Sequence, residues 1–328
     1  MRRALIAFVS TAILITRVSI PILLLLLIIS PYVYSEGGKS SYTECDSAVL
    51  PPWDICVGYA ILHHSYEEPG MMQEKGWFSP FNNFGGNIEA SVRRFYNGNL
   101  GSLDLLLGGG YVKYDGMTQN GQPLQIRNIP DVFLESRFAF GRLFYFSPNT
   151  YAVPFGGAGV RYWIDDLSKH KGGYERRSLY VYSPIGIELW HRPEASISTR
   201  LGAKIEYDLF WEGRQFSKLS DLNRTYRVWT DTGITIHDAI NHQDEGYGLR
   251  ASMTWVTLIS ERRTVELTFF VRSWQIAASD VVEVPYKIEI PQSGFKPPLI
   301  DEGTLLVYEP KNNTLDYGIF ISVHKWLN

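Results

Sequence analysis

Cysteine is almost missing from this chain: Cys45 and Cys56 are the only two in 328 residues. Two thiols cannot supply the four ligands of a structural zinc site. In an exported protein they allow either a disulfide closing a short loop or two free thiols, and "SYTEC" lacks the small apolar residues that precede a lipidated cysteine. A surplus of base is missing too. Lys and Arg number 31 against 34 Asp and Glu, a net charge of −3, which lacks the electrostatic footprint of a nucleic-acid partner. No phosphate loop is present: the glycines of "LLLGGGY" and "PFGGAGV" are followed by neither Lys-Ser/Thr nor a helix start. They are expected to thin a β wall around large side chains or to let strands bend. Beyond Cys56 no amphipathic helical pattern can be drawn.

What is abundant is aromatic: 20 Tyr, 17 Phe and 9 Trp make up 14% of the chain. Tyr and Trp combine an apolar body with a polar tip, which suits a boundary between water and an oily phase. The stretch "ASISTRLGAKIEYDLFW", residues 195–211, shows how they are placed. Its odd positions include Ile197, Leu201, Ile205, Tyr207, Leu209 and Trp211; its even positions carry Arg200, Lys204, Glu206 and Asp208. Alternation of this kind predicts one long strand with an apolar and a charged face.

The N-terminus suggests a location. "MRRALIAFVSTAILITR" brings three arginines and no acid, and "VSIPILLLLLIIS" is an apolar run ahead of "PYVYS". That order predicts a secretory signal over residues 1–35, cut before Glu36 with Val33 and Ser35 at the small-residue positions. The alternative is a retained membrane anchor. Cleavage would remove Arg2, Arg3 and Arg17 and no acid, lowering the net charge from −3 to −6. A periplasmic segment is expected over 36–53, followed by the main domain over 54–328.

Strands are predicted at 54–66, 84–96, 101–114, 131–146, 150–165, 174–190, 195–212, 245–258, 263–276 and 314–327. Short connections ("NGNL", "SPNT", "HRPE", "ISER") would all lie at one end, and the long ones, 67–83, 115–130, 213–244 and 277–313, at the other. A soluble sandwich has no reason to sort its loops by length, whereas outer-membrane barrels have short periplasmic turns and long extracellular loops. The expected fold is therefore all-β: an antiparallel up-and-down transmembrane β-barrel of about ten strands. Tyr207, Trp211, Tyr247 and Tyr317 would mark the outer interface, and Trp255 the inner one.

Several phrases carry a resemblance. "HSYEEPGMM" with "KGWF", "YERRSLYVYSPIGIELW", "GAKIEYDLFWEG", "GYGLRAS", "FFVRSW" and "YEPKNNTLDYG" resemble, in this order over about residues 56–328, a family of Gram-negative outer-membrane β-barrel proteins. The resemblance implies the fold and an outer-membrane location, and brings no reaction with it. One departure is the C-terminus, where Trp326 is followed by Leu327 and Asn328 instead of ending on an aromatic.

Parity places seven acids (Asp104, Glu135, Glu188, Glu206, Asp208, Glu266, Asp316) and seven bases (Arg137, Arg161, Arg176, Arg200, Lys204, Arg250, Arg272) on the inner face. Ten strands enclose little more than their own side chains, so balanced charges predict an ion-pair network that plugs the lumen; a lining of one sign would have pointed to an ion pore. Arg137, Arg200, Arg250 and Arg272 are the expected bidentate partners of carboxylates. The leading function is a structural or surface-interaction barrel working through its outer loops. The alternatives are a narrow small-solute channel and a surface hydrolase of the omptin kind. For the hydrolase, Asp165, Asp166 and His170 in one outer loop and His237, Asp238, His242 and Asp244 in another are the candidates, because a His beside an Asp can activate water. Catalysis through Asp166, His237 and His242 is the weakest of the three readings. His63 and His64 face opposite ways and make a poor metal pair. No cofactor or metal is expected. Outer-membrane lipid and the barrel-assembly machinery are the expected partners, with no nucleic acid.

Overall fold

The computed structural model describes residues 52–79, 86–117, 122–170, 172–194, 198–223, 232–292 and 297–327. The expected signal peptide, the expected periplasmic segment up to residue 51, and Cys45 lie outside these. Sixteen strands follow in order: β1 Trp53–Glu68, β2 Met72–Phe78, β3 Gly86–Tyr96, β4 Asn99–Met117, β5 Pro123–Arg142, β6 Phe144–Ser147, β7 Thr150–Asp166, β8 Glu175–His191, β9 Thr199–Ser217, β10 Gly233–Ile236, β11 Ala239–Gln243, β12 Gly246–Ser260, β13 Arg263–Ile276, β14 Val282–Ile290, β15 Leu299–Val307 and β16 Asn312–Leu327.

The wall runs β1, then β2 and β3 end to end, then β4, β5, β7, β8, β9, β12, β13 and β16, each antiparallel to the next. It closes where β16 pairs back onto β1, from Trp53↔Leu327 to Glu67↔Asn313. The fold is the expected closed antiparallel barrel, with ten wall positions. Closure pairs both edges, so no row of unsatisfied N–H and C=O groups is left in the wall.

Alternation decides which way each side chain faces. On β9, Ile205 is 66% exposed while Glu206 and Asp208 are buried. The outward rows Val181, Ile185, Ile187 and Leu189 on β8, and Leu315, Tyr317, Ile319 and Ile321 on β16, are exposed in the same way. The phase changes at bulges: on β5, where the β4–β5 register shifts between Val112 and Tyr114, and on β9, where the β8–β9 register shifts between Val181 and Tyr182. Beyond the second bulge the inward set on β9 becomes Gly213, Gln215 and Ser217, as an extra residue in one strand requires.

The turn end is built from tight connections. At 97–98, Asn97 (φ 49) and Gly98 (φ 74) both take positive φ, the two-residue hairpin that Asn-Gly favours. Turns at 148–149 and 261–262 lie at the same end.

The loop end departs from the expectation in three places. Residues 67–83 do not form one long loop: β1 turns at 69–71 into β2, which pairs with it from Leu62↔Phe78 to Glu68↔Met72. The charge of "MQEKGWF" masked the pattern, since the buried inward residues there are Met72, Glu74 and Phe78. Likewise β4 and β5 continue to Met117 and from Pro123, leaving little of the expected 115–130 loop. Finally, the long segments 213–244 and 277–313 contain a separate three-stranded sheet, β10–β14–β15. Val284 and Ala239 pack there with Leu219, backed by Ile236, Val282 and Val307.

Inside the barrel lies an apolar core as well as charge. Leu62, Tyr66, Phe78, Val112, Ile129, Phe133 and Trp163 form one buried cluster, and Tyr180, Tyr182, Phe210, Trp274 and Ile276 a second. The glycine runs make room for it, as expected. A Cβ on Gly110 would stand 2.2 Å from Cδ1 of Phe78, and one on Gly159 would stand 2.3 Å from Cζ of Tyr182.

Candidate functional site

The polar interior is layered. Its middle layer begins with a row across neighbouring strands: His64 on β1 is opposite Asp316 on β16, Asp316 is opposite Arg272 on β13, Arg272 is opposite Arg250 on β12, and Arg250 is opposite Glu206 on β9. From Asp316 to Glu206 the signs alternate except at Arg272 and Arg250, and like charges directly opposite one another repel. Glu135 resolves the conflict by reaching in from β5. Its carboxylate lies 2.5 Å from Nη2 of Arg250 and 3.5 Å from Nη1 of Arg272, and it accepts the Tyr182 hydroxyl.

The rest of the layer satisfies the row. Asp316 accepts Nε of Arg272 at 2.8 Å, lies 2.6 Å from Nδ1 of His64, and has Arg161 at 3.6 Å. Nε2 of His64 lies 3.4 Å from Asp131, which accepts the Trp163 indole N–H. Arg250 also donates to Asp208 at 2.6 Å. Glu206 receives Arg137 at 2.5 Å and Lys204 at 3.0 Å. Asp104 stands opposite Arg137 in the β4–β5 register.

Near the loop end a single cation serves four acids. Arg176 pairs with Asp165 at 2.7 Å, Glu68 at 2.9 Å, Glu74 at 3.3 Å and Glu309 at 3.9 Å, and stacks over the Tyr66 ring. Glu309 lies in the connection between β15 and β16, outside the wall. Burial pushes its carboxyl up to about 7, opposed by Arg176 and reinforced by Glu68. A carboxyl raised in the folded state binds its proton more tightly there than in the unfolded chain, so its ionisation costs stability as pH rises from about 4.5 to about 7. Glu309→Gln should therefore raise the thermal midpoint at pH 8 and leave it little changed at pH 4.5. An equal effect at both pH values would contradict this assignment.

At the turn end, His324 sits between Asp54, 3.0 Å from Nδ1, and Glu266, 3.1 Å from Nε2, with the Ser322 hydroxyl 3.2 Å from Nε2. Ser–His–Asp is the arrangement of a hydrolase triad, but a carboxylate on each ring nitrogen requires both to carry hydrogen, and an imidazolium cannot take the serine proton. Ser322 is also fully buried. The group is an ion cluster. Beside it Glu188 pairs with Arg93 at 3.6 Å and accepts the Trp190 indole N–H at 3.0 Å.

The fourteen residues expected inside divide as follows. Glu135, Arg137, Arg161, Arg176, Glu188, Lys204, Glu206, Asp208, Arg250, Glu266, Arg272 and Asp316 all enter ion pairs, and Asp104 faces Arg137 in register. Arg200, an expected carboxylate partner, meets no carboxylate among the described contacts; its guanidinium lies over Trp190 and Trp326, 6.0 and 5.4 Å from the ring centroids. Parity reasoning missed His64, Asp131, Arg93, Asp54 and His324. His64 and His324 carried a legible signal, since each stands on the inward parity of its strand, His64 in register with Asp316 and His324 with Cys56.

The hydrolase candidates do not converge. Asp165 and Asp166 are the last two residues of β7, not in an outer loop; Asp165 faces inward on Arg176, and Asp166 accepts from Ser168. Asp238 accepts the Ser220 backbone N–H, and His242 has Glu212 at 3.8 Å. Among the described contacts no ring nitrogen of His170, His237 or His242 binds any of these aspartates. The aromatic residues lie on the outer face as expected: Tyr207 stacks on Tyr247 at 5.9 Å, Tyr317 on His63 at 5.0 Å, and Trp211 donates to Ser183. Trp255 pairs with Leu201 and Tyr247 with Leu209, so they occupy opposite ends of the β9–β12 pair. Cys56 is buried on the inner face, packed with Ala60 and Phe320.

Space in the lumen is limited. A cavity of about 150 Å³ lies among Leu62, Glu89, Lys204, Thr254, Thr268 and Phe320. A space of about 20 Å³ lies at the turn end beside Arg200 and Glu188, and one of about 10 Å³ beside Arg176 and Asp165.

No protein-family model matches the chain, and no curated protein sequence does. Among solved structures it is similar to the outer membrane protease OmpT from Escherichia coli, at 11% identity and a TM-score of 0.52, over 86% of this chain and 100% of that one. It also matches the translocator domain of the autotransporter NalP from Neisseria meningitidis, at 8% identity and a TM-score of 0.39, over 84% of this chain and 88% of that one. The Pseudomonas putida toluene transporter TodX matches at 9% identity and a TM-score of 0.32, over 86% and 91%. At such identities the likeness to OmpT is one of fold alone: this chain has the architecture of an outer-membrane β-barrel.

Proposed function

We propose that this chain is an integral barrel of a bacterial outer membrane, with its turn end in the periplasm, acting at the cell surface through its loop end and not as an open pore. The observation that carries this reading is the pairing of an exposed apolar wall with an interior closed by ion pairs and aromatic side chains. Exposed Ile185, Ile187, Ile205, Met253, Phe269 and Ile321 suit hydrocarbon, and the girdle residues suit its interfaces. An open pore lined by both signs would hold its charges in water; here Glu135, Glu206, Asp208 and Asp316 are 2% exposed or less. The family resembled by the "YSPIGIELW" and "YEPKNN" phrases fits the same reading.

The protein should fractionate with outer membranes, resist alkaline carbonate and change its gel mobility on heating. Reconstituted into planar bilayers it should show no stable large conductance. A steady, large conductance would replace this reading with that of a solute channel, and recovery in the soluble periplasmic fraction would end the barrel assignment.

A further inference from the structure

Tyr66 has one hydroxyl hydrogen and two carboxylate oxygens to receive it. Its oxygen lies 3.1 Å from Oε1 of Glu68 and 3.1 Å from Oε1 of Glu309. One O–H cannot serve both, and an ionised carboxylate brings no hydrogen of its own. Arg176 does not make good the shortage: Glu68, Glu74, Asp165 and Glu309 surround it, so ionising all four acids leaves three negative charges in excess. All four are buried. Buried charge that lacks a counter-ion is relieved by taking up a proton. A proton on Glu309 mends both faults, because its O–H then donates to the Tyr66 oxygen while Tyr66 donates to Glu68.

Glu309 differs from the other three acids in what holds it. Glu68 ends β1, Glu74 lies in β2 and Asp165 in β7, each fixed by backbone pairing in the wall. Glu309 stands in the connection from β15 to β16. Its backbone N–H donates to Oγ of Ser279 at 2.8 Å and its C=O accepts the Ser279 N–H at 2.9 Å, so it ties together the two ends of the β14–β15 hairpin. Its carboxyl reaches back into the barrel. There it faces Tyr66 and Glu68 from β1, Glu74 from β2, Asp165 from β7, Arg176 and Tyr180 from β8, and Tyr174 just ahead of β8. Arg176 is the one cation in that set.

We infer that Glu309 is a proton-operated latch on the base of the β14–β15 hairpin: protonated, it stays in the Arg176 cluster; ionised, it swings out to water and loosens the hairpin from the barrel mouth. This deepens the reading of a loop end that works at the cell surface, and rests on it. Glu309 is the acid that leaves, because the other three could follow only by breaking strand pairing. Seated, it holds its proton up to about pH 7, against about 4.5 for a glutamate in water. Opening therefore releases one proton to solvent and is favoured as pH rises.

Amide hydrogen exchange of the full chain in lipid vesicles, corrected for the intrinsic pH dependence of exchange, tests the latch. The amides of Ser279, Asp280 and Glu309 bond to Glu309 O, His242 O and Ser279 Oγ, and all three bonds lie at the hairpin base. Their opening should rise by about tenfold per pH unit between about 4.5 and about 7, the limit for release of one proton, and then level off. Amides of β12 and β13 should show no such rise. Glu309→Gln, which offers a hydrogen and carries no charge, should hold the base closed at pH 5 and pH 8 alike. Glu68→Gln removes the competitor for the Tyr66 hydrogen and should end the rise at a lower pH. Heat-shifted gel mobility of each sample reports the barrel separately. Equal opening at pH 5 and pH 8 in a heat-modifiable wild-type barrel overturns the inference and leaves the outer-membrane reading standing. A rise that survives in Glu309→Gln overturns it as well.

Discussion

Glu135→Gln should destabilise the barrel by about 3–5 kcal/mol, the cost of leaving buried partners uncompensated when one member of a buried ion group is removed. The site is close to the worst place in the lumen to lose a negative charge. Arg250 and Arg272 are direct cross-strand neighbours of the same sign, and Glu135 is the carboxylate that touches both. Asp208 and Glu206 remain for Arg250, and Asp316 for Arg272, so the barrel is expected to fold but to unfold at clearly lower denaturant. Removing the repulsion together with its remedy should recover part of the loss: Glu135→Gln with Arg250→Met should cost less than the sum of the two single changes. Urea titration in lipid vesicles, followed by tryptophan fluorescence, measures all three. Strict additivity would show that the two groups do not interact as the geometry implies.

The outer face yields the second large effect. Ile205 lies midway along β9, flanked in register by Ile187 and Ala251, with its side chain turned away from the lumen. Ile205→Arg should cost about 2–4 kcal/mol if the residue stands at the bilayer midplane, since a guanidinium then enters hydrocarbon. The same substitution at Glu194, in a turn, should change little. Its neighbours Lys204 and Glu206 already carry charge at no such cost because they point inward and pair with each other at 3.0 Å. Unaltered folding of Ile205→Arg into bilayers would mean that this face does not meet lipid.

Strands were legible because their signal is local. A period of two, bounded by turn residues, needs no partner to be read, and all ten wall segments were placed from it. It failed where charge occupies the inward positions, as at Glu74 in β2, because buried and solvated charges look alike until a partner is known. The outer sheet was missed for a different reason: β14 buries only Val284 and β15 buries none of its residues, so neither strand shows a core face. Arg200 shows the limit of counting charges. Its parity was right, yet among the described contacts it meets two indoles where a carboxylate was expected.

Between bulges, whether a charge faces inward or outward is determined by the sequence alone, since facing follows from position along one strand; where the register shifts, as between Val181 and Tyr182, the pairing decides it. Which charge meets which was decided only by tertiary structure. Glu135 and Arg250 are 115 residues apart, and they meet because closing the wall brings β5 and β12 across one lumen. Arg176 gathers Glu68, Glu74, Asp165 and Glu309 from four separate segments for the same reason. Barrel closure sets those distances, and low-dielectric burial then makes each pairing count.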